Sequence, residues 1–153
     1  MQDNYRIRSN AMSLNYLDSI QHSKKKYAAL MEPLCRRHDL TRNELDILLF
    51  LANNPGFDRA ADIVSMRQIA KSHVSLSVGN LEKRGFLVRR FEETDRRAAH
   101  LTLTEGALPI VQEGQNLQQH FFRQIFAGLS QEELALWGNI LQKICSNIEN
   151  IND

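Results

Sequence analysis

One change of period constrains this chain more than any other feature. From about Ser72 to Arg84 the apolar residues recur at helical spacing, with Val74, Val78 and Leu81 on a single face. Gly85 follows in the position where a glycine closes a helix. From Phe86 the pattern alternates instead. Phe86-Leu87-Val88 leads into the charged stretch Glu92-Glu93-Thr94-Asp95-Arg96-Arg97, and Leu101-Thr102-Leu103 alternates again. A helix, a glycine and a two-stranded hairpin with a basic tip, in that order, predict a winged helix.

The flanking segments are helical. Leu17, Ile20, Tyr27, Met31 and Leu34 recur at helical spacing and predict a first helix from about Ser13 to His38, with Pro33 near its end. Thr41 and Glu44 form a capping-box pattern ahead of the apolar run Leu45 to Leu51, and Asn53-Asn54-Pro55-Gly56 stops that helix. A short helix fits Arg59 to Met66, with Ile63 and Val64 inward. After the hairpin a long helix runs from near Thr104 to Gly128, with Pro109 tolerated close to its first turn. Ser130 and Glu133 open a last helix with a second capping box. Its apolar stripe is Leu134, Trp137, Ile140/Leu141, Ile144 and Ile148. The expected fold is mainly α with a small β-hairpin, a winged helix-turn-helix with long terminal helices.

A length of 153 residues fits one domain, 1–153. No run approaches the roughly 20 apolar residues of a membrane span, and the N-terminus has no signal core. A cytoplasmic protein without a membrane partner is therefore expected. Two cysteines, Cys35 and Cys145, make neither a disulfide framework nor metal-ligand spacing. Ser9-Asn10-Ala11 before Met12 reads as a remnant of an affinity tag, which puts the expected natural start at Met12. Net charge is +1, but it is unevenly spread. Residues 59–104 carry 9 Lys/Arg against 5 Asp/Glu, whereas residues 105–153 carry 2 against 6. A basic middle segment can steer toward phosphate, although a solvated charged face gives the same count.

The face of the 72–84 helix opposite Val74 shows Ser72, His73, Ser75, Leu76, Gly79, Asn80 and Lys83, with no acid before Glu82. Short and hydrogen-bonding side chains are what a helix needs to approach base edges in a major groove. Its N-terminal N–H groups favour phosphate. A plain amphipathic surface helix would show part of this pattern. The hairpin that follows adds weight, because an arginine at its tip can enter a narrow minor groove and Asp95 can fix an arginine rotamer.

The stretch Leu40 to Gly106 resembles the MarR family of bacterial regulators. The matching residues are Leu40-Thr41 with Glu44, Lys71-Ser72-His73-Val74-Ser75, Leu81-Glu82-Lys83-Arg84-Gly85-Phe86-Leu87, the wing Asp95-Arg96-Arg97, and Leu103-Thr104-Glu105. The resemblance implies a homodimer held by the first and last helices, 12–38 and 105–150, around a DNA-binding part at 41–104. It implies a pseudo-palindromic operator in double-stranded DNA, with repression usually relieved by a small-molecule effector or oxidant. The residues expected to meet DNA are Lys71, Ser72, His73, Ser75, Leu76, Asn80, Arg96 and Arg97, with Asp95 orienting an arginine. One departure stands out. The segment Ala60 to Gln68 lacks the leucine-glycine ending common in the family, which puts the turn before the recognition helix in question.

Other features carry less. Cys35 has only Arg36 and Arg37 beside it to lower its pKa and reads as a packed cysteine, and Cys145 reads as core. His22, His38, His100 and His120 are scattered, so no metal or cofactor is expected. Phe121, Phe122 and Phe126 are most simply helix packing. A protein-interaction winged helix would need apolar anchors on the recognition face, where Leu76 is the one large apolar residue. An enzyme is not expected, because no nucleophile elbow, P-loop, zinc-protease motif or dinucleotide fingerprint occurs.

Overall fold

The computed structural model describes residues 2–91 and 99–151, with side chains from residue 15 onward. The element order is α1 (Gln2–Arg37), α2 (Arg42–Asn53), α3 (Ala60–Arg67), α4 (Lys71–Lys83), β1 (Leu87–Phe91), β2 (Ala99–Leu103), a 3-10 turn (Glu105–Ala107), α5 (Leu108–Ile125) and α6 (Gln131–Glu149). The winged helix-turn-helix read from the sequence is therefore present. One boundary moves. α1 starts at Gln2 rather than near Ser13, because neither proline nor glycine interrupts the chain before Pro33. Among the described residues no helix is long and apolar enough to cross a membrane.

The chain divides into two compact units, Met1–Leu117 and Gln118–Asp153. The core of the first gathers Met31, Leu34 and Cys35 from α1 with Leu45, Ile47, Leu48, Leu49 and Phe50 from α2. Ile63 from α3 and Val74, Val78 and Leu81 from α4 join them, and Leu87 and Leu101 carry the hairpin in. The expected inward face of the fourth helix is thus the buried one.

Local chemistry fixes the ends. Thr41 Oγ1 accepts the Glu44 amide at 3.2 Å while Glu44 Oε2 accepts the Thr41 amide at 2.8 Å, the reciprocal capping box expected there. Ser130 and Glu133 repeat it on α6, at 3.2 and 2.7 Å. Gly85 has φ +74°, which a residue with a Cβ adopts only at a cost, and from there the chain turns into β1. β1 and β2 pair antiparallel with Leu87 opposite Leu103 and Phe91 opposite Ala99. Arg37 pairs with Glu113 and Gln115 donates to Asn53, tying the first half of α5 to α1 and α2.

The two cysteines part company. Cys35 is buried, and that burial pushes its thiol pKa up against the pull of the Arg42 charge. It packs as expected. Cys145 is exposed rather than core. The apolar stripe of α6 leaves it at the surface because no described residue of that helix is buried within the chain. Phe122 stacks on Phe126 at 6.2 Å, and Phe126 meets Trp137 edge-on at 4.9 Å, so these phenylalanines do serve helix packing.

Gly114 shows how tightly α5 meets α2. A Cβ built there would lie 2.7 Å from Leu49 Cδ2 and 3.2 Å from its Cδ1. Leu49 is itself buried and has little room to move. Gly114→Ala is expected to lower stability by about 1–3 kcal/mol, although alanine is the better helix former. Urea unfolding followed by circular dichroism checks it, and a stabilised variant would show that Leu49 gives way freely.

Candidate nucleic-acid interface

α4, the expected recognition helix, is placed by the turn that precedes it. α3 ends at Arg67, and Gln68 takes the left-handed conformation, φ 54°, that a glycine would normally supply. Its side chain donates to Ser65 O at 2.7 Å and helps hold the residue there. The missing leucine-glycine ending therefore leaves the turn intact, with Gln68 in the strained position. Ala70 precedes α4 without a side-chain cap, so the first N–H groups of α4 have no capping side chain, and Lys71 stands at the same end.

On α4 the buried positions are Val74, Ser77, Val78 and Leu81. Lys71, Ser72, His73, Ser75 and Leu76 are all exposed, away from that buried stripe. Leu76, at 64% exposure, is the large apolar side chain on this face. Asn80 differs from them. It is half-buried, and its Nδ2 donates to Glu44 Oε1 at 3.1 Å. Ser77, three residues after Val74 and four before Leu81, lies on that same inward face, although the apolar pattern alone does not mark it.

The hairpin is anchored along its strands. Glu82 near the end of α4 pairs with Arg89 of β1 at 3.1 Å. Asp58, ahead of α3, holds β2 twice. Its carbonyl accepts the Leu101 amide at 2.7 Å, and its carboxylate meets His100 Nδ1 at 2.7 Å. Arg59 and His100 form an isolated antiparallel bridge beside them. Asp95, Arg96 and Arg97, the expected wing residues, lie outside the described residues.

Cations missed by the sequence reading stand on this side. Arg89 and Arg90 carry basic character along β1, Arg89 toward α4, and Arg59 sits beside His100 of β2. With Lys71, Arg59 and Arg89 rim a cavity of about 540 Å³ between α3, α4 and the hairpin, floored by Val74, Val78 and Leu101. The adjacent pair Arg89-Arg90 inside an alternating segment was the available signal. The first turn of α4 carries no acid, and a lysine and arginines beside it are the side chains that suit a phosphate backbone. Among the described residues no group of three His, Cys, Asp or Glu gathers as a metal site.

Residues 38–98 match the sequence model of the MarR family. That segment holds α2, α3, α4 and β1, the elements that build the interface. By that match this segment is similar to the MarR family of transcriptional regulators. Solved structures agree on the fold. A MarR family regulator from Listeria monocytogenes, solved with a 26mer DNA, superposes with a TM-score of 0.76 at 17% identity, over 86% of this chain and 87% of that one. The regulator SlyA gives 0.74 at 19% identity, over 87% and 93%. BpsR of Bordetella bronchiseptica, described with 6-hydroxynicotinic acid as regulator of its DNA binding, gives 0.64 at 21% identity, over 87% and 98%.

Arg84 ties α4 to the loop after α1. Its Nη1 donates to Asp39 O and its Nη2 to His38 O, both at 2.6 Å, while the guanidinium lies 5.0 Å over the Phe86 ring. Asp39 sits at φ 49°, so the carbonyls it presents turn out of the helical ladder toward Arg84. Arg84→Ala is expected to lower stability by about 1–2 kcal/mol. Arg84→Lys should recover only part, because an ammonium cannot present two parallel donors. Thermal melts of both variants check this, and equal melting of wild type and Arg84→Ala would remove the latch.

Proposed function

We propose that this chain is a repressor that binds a pseudo-palindromic operator as a homodimer and is released by a small-molecule effector. The observation that carries the reading is the recognition helix. Its apolar side is fully committed to the core, and Lys71, Ser72, His73, Ser75 and Leu76 are left on an open, acid-free face. In this reading those residues and Asn80 belong to the DNA-facing side of α4, while Arg96 and Arg97, with Asp95 orienting one of them, serve as the wing. The DNA-bound Listeria relative supports DNA as the partner. The BpsR structure, with its nicotinic-acid derivative, supports an effector.

The dimer is supported by apolar surface. α6 has no described residue buried within its own chain, and Leu136, Trp137, Ile140 and Ile148 are all exposed. Tyr16 and Leu17 on α1 are exposed as well. The apolar face of α6, with Tyr16 and Leu17 exposed on α1, fits a second copy of the chain, which would cover such side chains. A winged helix used only for protein contacts would need apolar anchors on α4 beyond Leu76, and that face carries only short or polar side chains besides.

Selection of bound sequences from a random DNA pool tests the reading. The enriched site should be an inverted repeat with half-site centres about 10 bp apart. Sedimentation at micromolar concentration should give a dimer. His73→Ala should change the preferred bases, removal of a base-reading hydrogen bond costing ~1–3 kcal/mol, whereas Lys71→Ala should weaken binding to all sequences alike. A single asymmetric half-site with a monomeric mass would remove the dimer.

The wing responds differently. Arg96→Ala and Arg97→Ala should weaken binding with little change of base preference, since minor-groove readout is degenerate. Deleting one cation that neutralises a phosphate should flatten the slope of log affinity against log salt by about 0.9, and a dimer carries the deletion twice. Salt titrations on the selected site and on random DNA read this out. If both folded variants bind as tightly as wild type, the tripeptide is a solvated turn.

A further inference from the structure

Asn80 stands apart from the residues it shares a helix with. Lys71, Ser72, His73, Ser75 and Leu76 are exposed, whereas Asn80 is half-buried with its amide turned toward α2. The group it meets is a carboxylate largely removed from water, since Glu44 is only 3% exposed. Glu44 Oε2 accepts the Thr41 amide at 2.8 Å, and Glu44 Oε1 accepts Asn80 Nδ2 at 3.1 Å. One oxygen therefore caps α2 and the other holds α4. A buried carboxylate needs donors on both oxygens, and the half of that need met by Asn80 comes from an element 36 residues away. Thr41, Asn43 and Glu44 from the start of α2 face His73, Leu76 and Asn80 across a small cleft. The Glu44–Asn80 bond thus crosses between the N-terminus of α2 and the outward side of α4.

We propose that Asn80 is a positioning residue, which sets the angle of the recognition helix on α2 through the Glu44 carboxylate and does not itself read a base. The proposal rests on the DNA-binding reading above. It separates two ways a side chain on α4 affects specificity. A base reader governs one position in each half-site. A tether governs how the whole helix presents His73, Ser75 and their neighbours, so its removal weakens discrimination at every position together.

The test uses the full chain with Asn80→Ala, Asn80→Asp, and Asn80→Asp combined with Glu44→Gln. Each is measured for thermal unfolding and for binding to the wild-type selected site and its single-base variants. Asn80→Ala leaves one carboxylate oxygen without its donor, and affinity for the selected site should fall by about tenfold. Discrimination should shrink evenly across the half-site, and the preferred base at each position should stay the same. Asn80→Asp sets two carboxylates against each other and should cost more in both melting temperature and affinity. Adding Glu44→Gln places an amide donor opposite the new carboxylate and keeps the net charge of the wild type, so both readouts should recover relative to Asn80→Asp alone. Loss of preference confined to one base position overturns the proposal, as does a folded double variant that stays at the level of Asn80→Asp. If the wild-type chain itself enriches no site, the DNA-binding reading fails and the tether falls with it. A wild-type chain that enriches a site while the variants behave as base readers sinks the tether alone.

Discussion

The interface depends on the burial of three side chains. α4 has 13 residues, near the length at which an isolated helix is marginal in water, and it begins without a side-chain cap. What holds it is Val74, Val78 and Leu81, each at most 2% exposed, packed with Ile63, Leu45 and Leu48 in a single core. Full burial of a side chain of this kind is worth roughly 1.5–3 kcal/mol. With the apolar side anchored, the remaining side can carry short polar groups that add nothing to stability. The open face of Ser72, His73 and Ser75 is therefore a consequence of the core beneath it.

The turns at either end convert that burial into orientation. Before α4 the chain reverses through Gln68 in the left-handed region, and after it through Gly85. Only the second is a glycine. A non-glycine residue at positive φ is held there by its surroundings, and Gln68 has its own side chain bonded back to Ser65. Arg84 and Glu82 extend the fixation from the end of α4, the first to the carbonyls after α1 and the second to Arg89 on the hairpin. The helix is thus referenced to α1, α2 and β1 at once, and a shift of one of these elements is felt by α4.

Much of this is legible in the sequence because it is local. A capping box spans four residues, a helix-closing glycine is one residue, and a change of hydrophobic period shows within a dozen. Both boxes, the inward face of α4 and the hairpin follow from such signals. What escapes depends on partners distant in the chain. Asn80 falls on the polar side of a helical wheel, and only the folded chain brings Glu44 to it. Gln68 carries no sequence mark of positive φ, so the missing glycine suggests a disturbed turn where the structure keeps a regular one. Cys145 shows the opposite limit. Its place near an apolar stripe suggests a core, but a stripe says that a face is apolar and not what covers it.

That last point bears on how the proposed dimer and DNA binding are linked. α6 is capped at Ser130 and strongly amphipathic, yet none of its described residues is buried within the chain. The Phe126–Trp137 contact gives the segment some packing of its own, while Leu136, Ile140 and Ile148 stay exposed. A second copy covering these side chains contributes its binding free energy to the folded state, so stability becomes dependent on concentration. The same association fixes the spacing of two recognition helices, and spacing is what an inverted repeat reads. An effector needs only to change the relative placement of the two copies to reduce affinity, because two helices that no longer match one helical turn of DNA cannot both seat. In the proposed dimer, control of DNA binding therefore lies in the terminal helices as much as in α4, even though α4 is the element proposed to meet the bases.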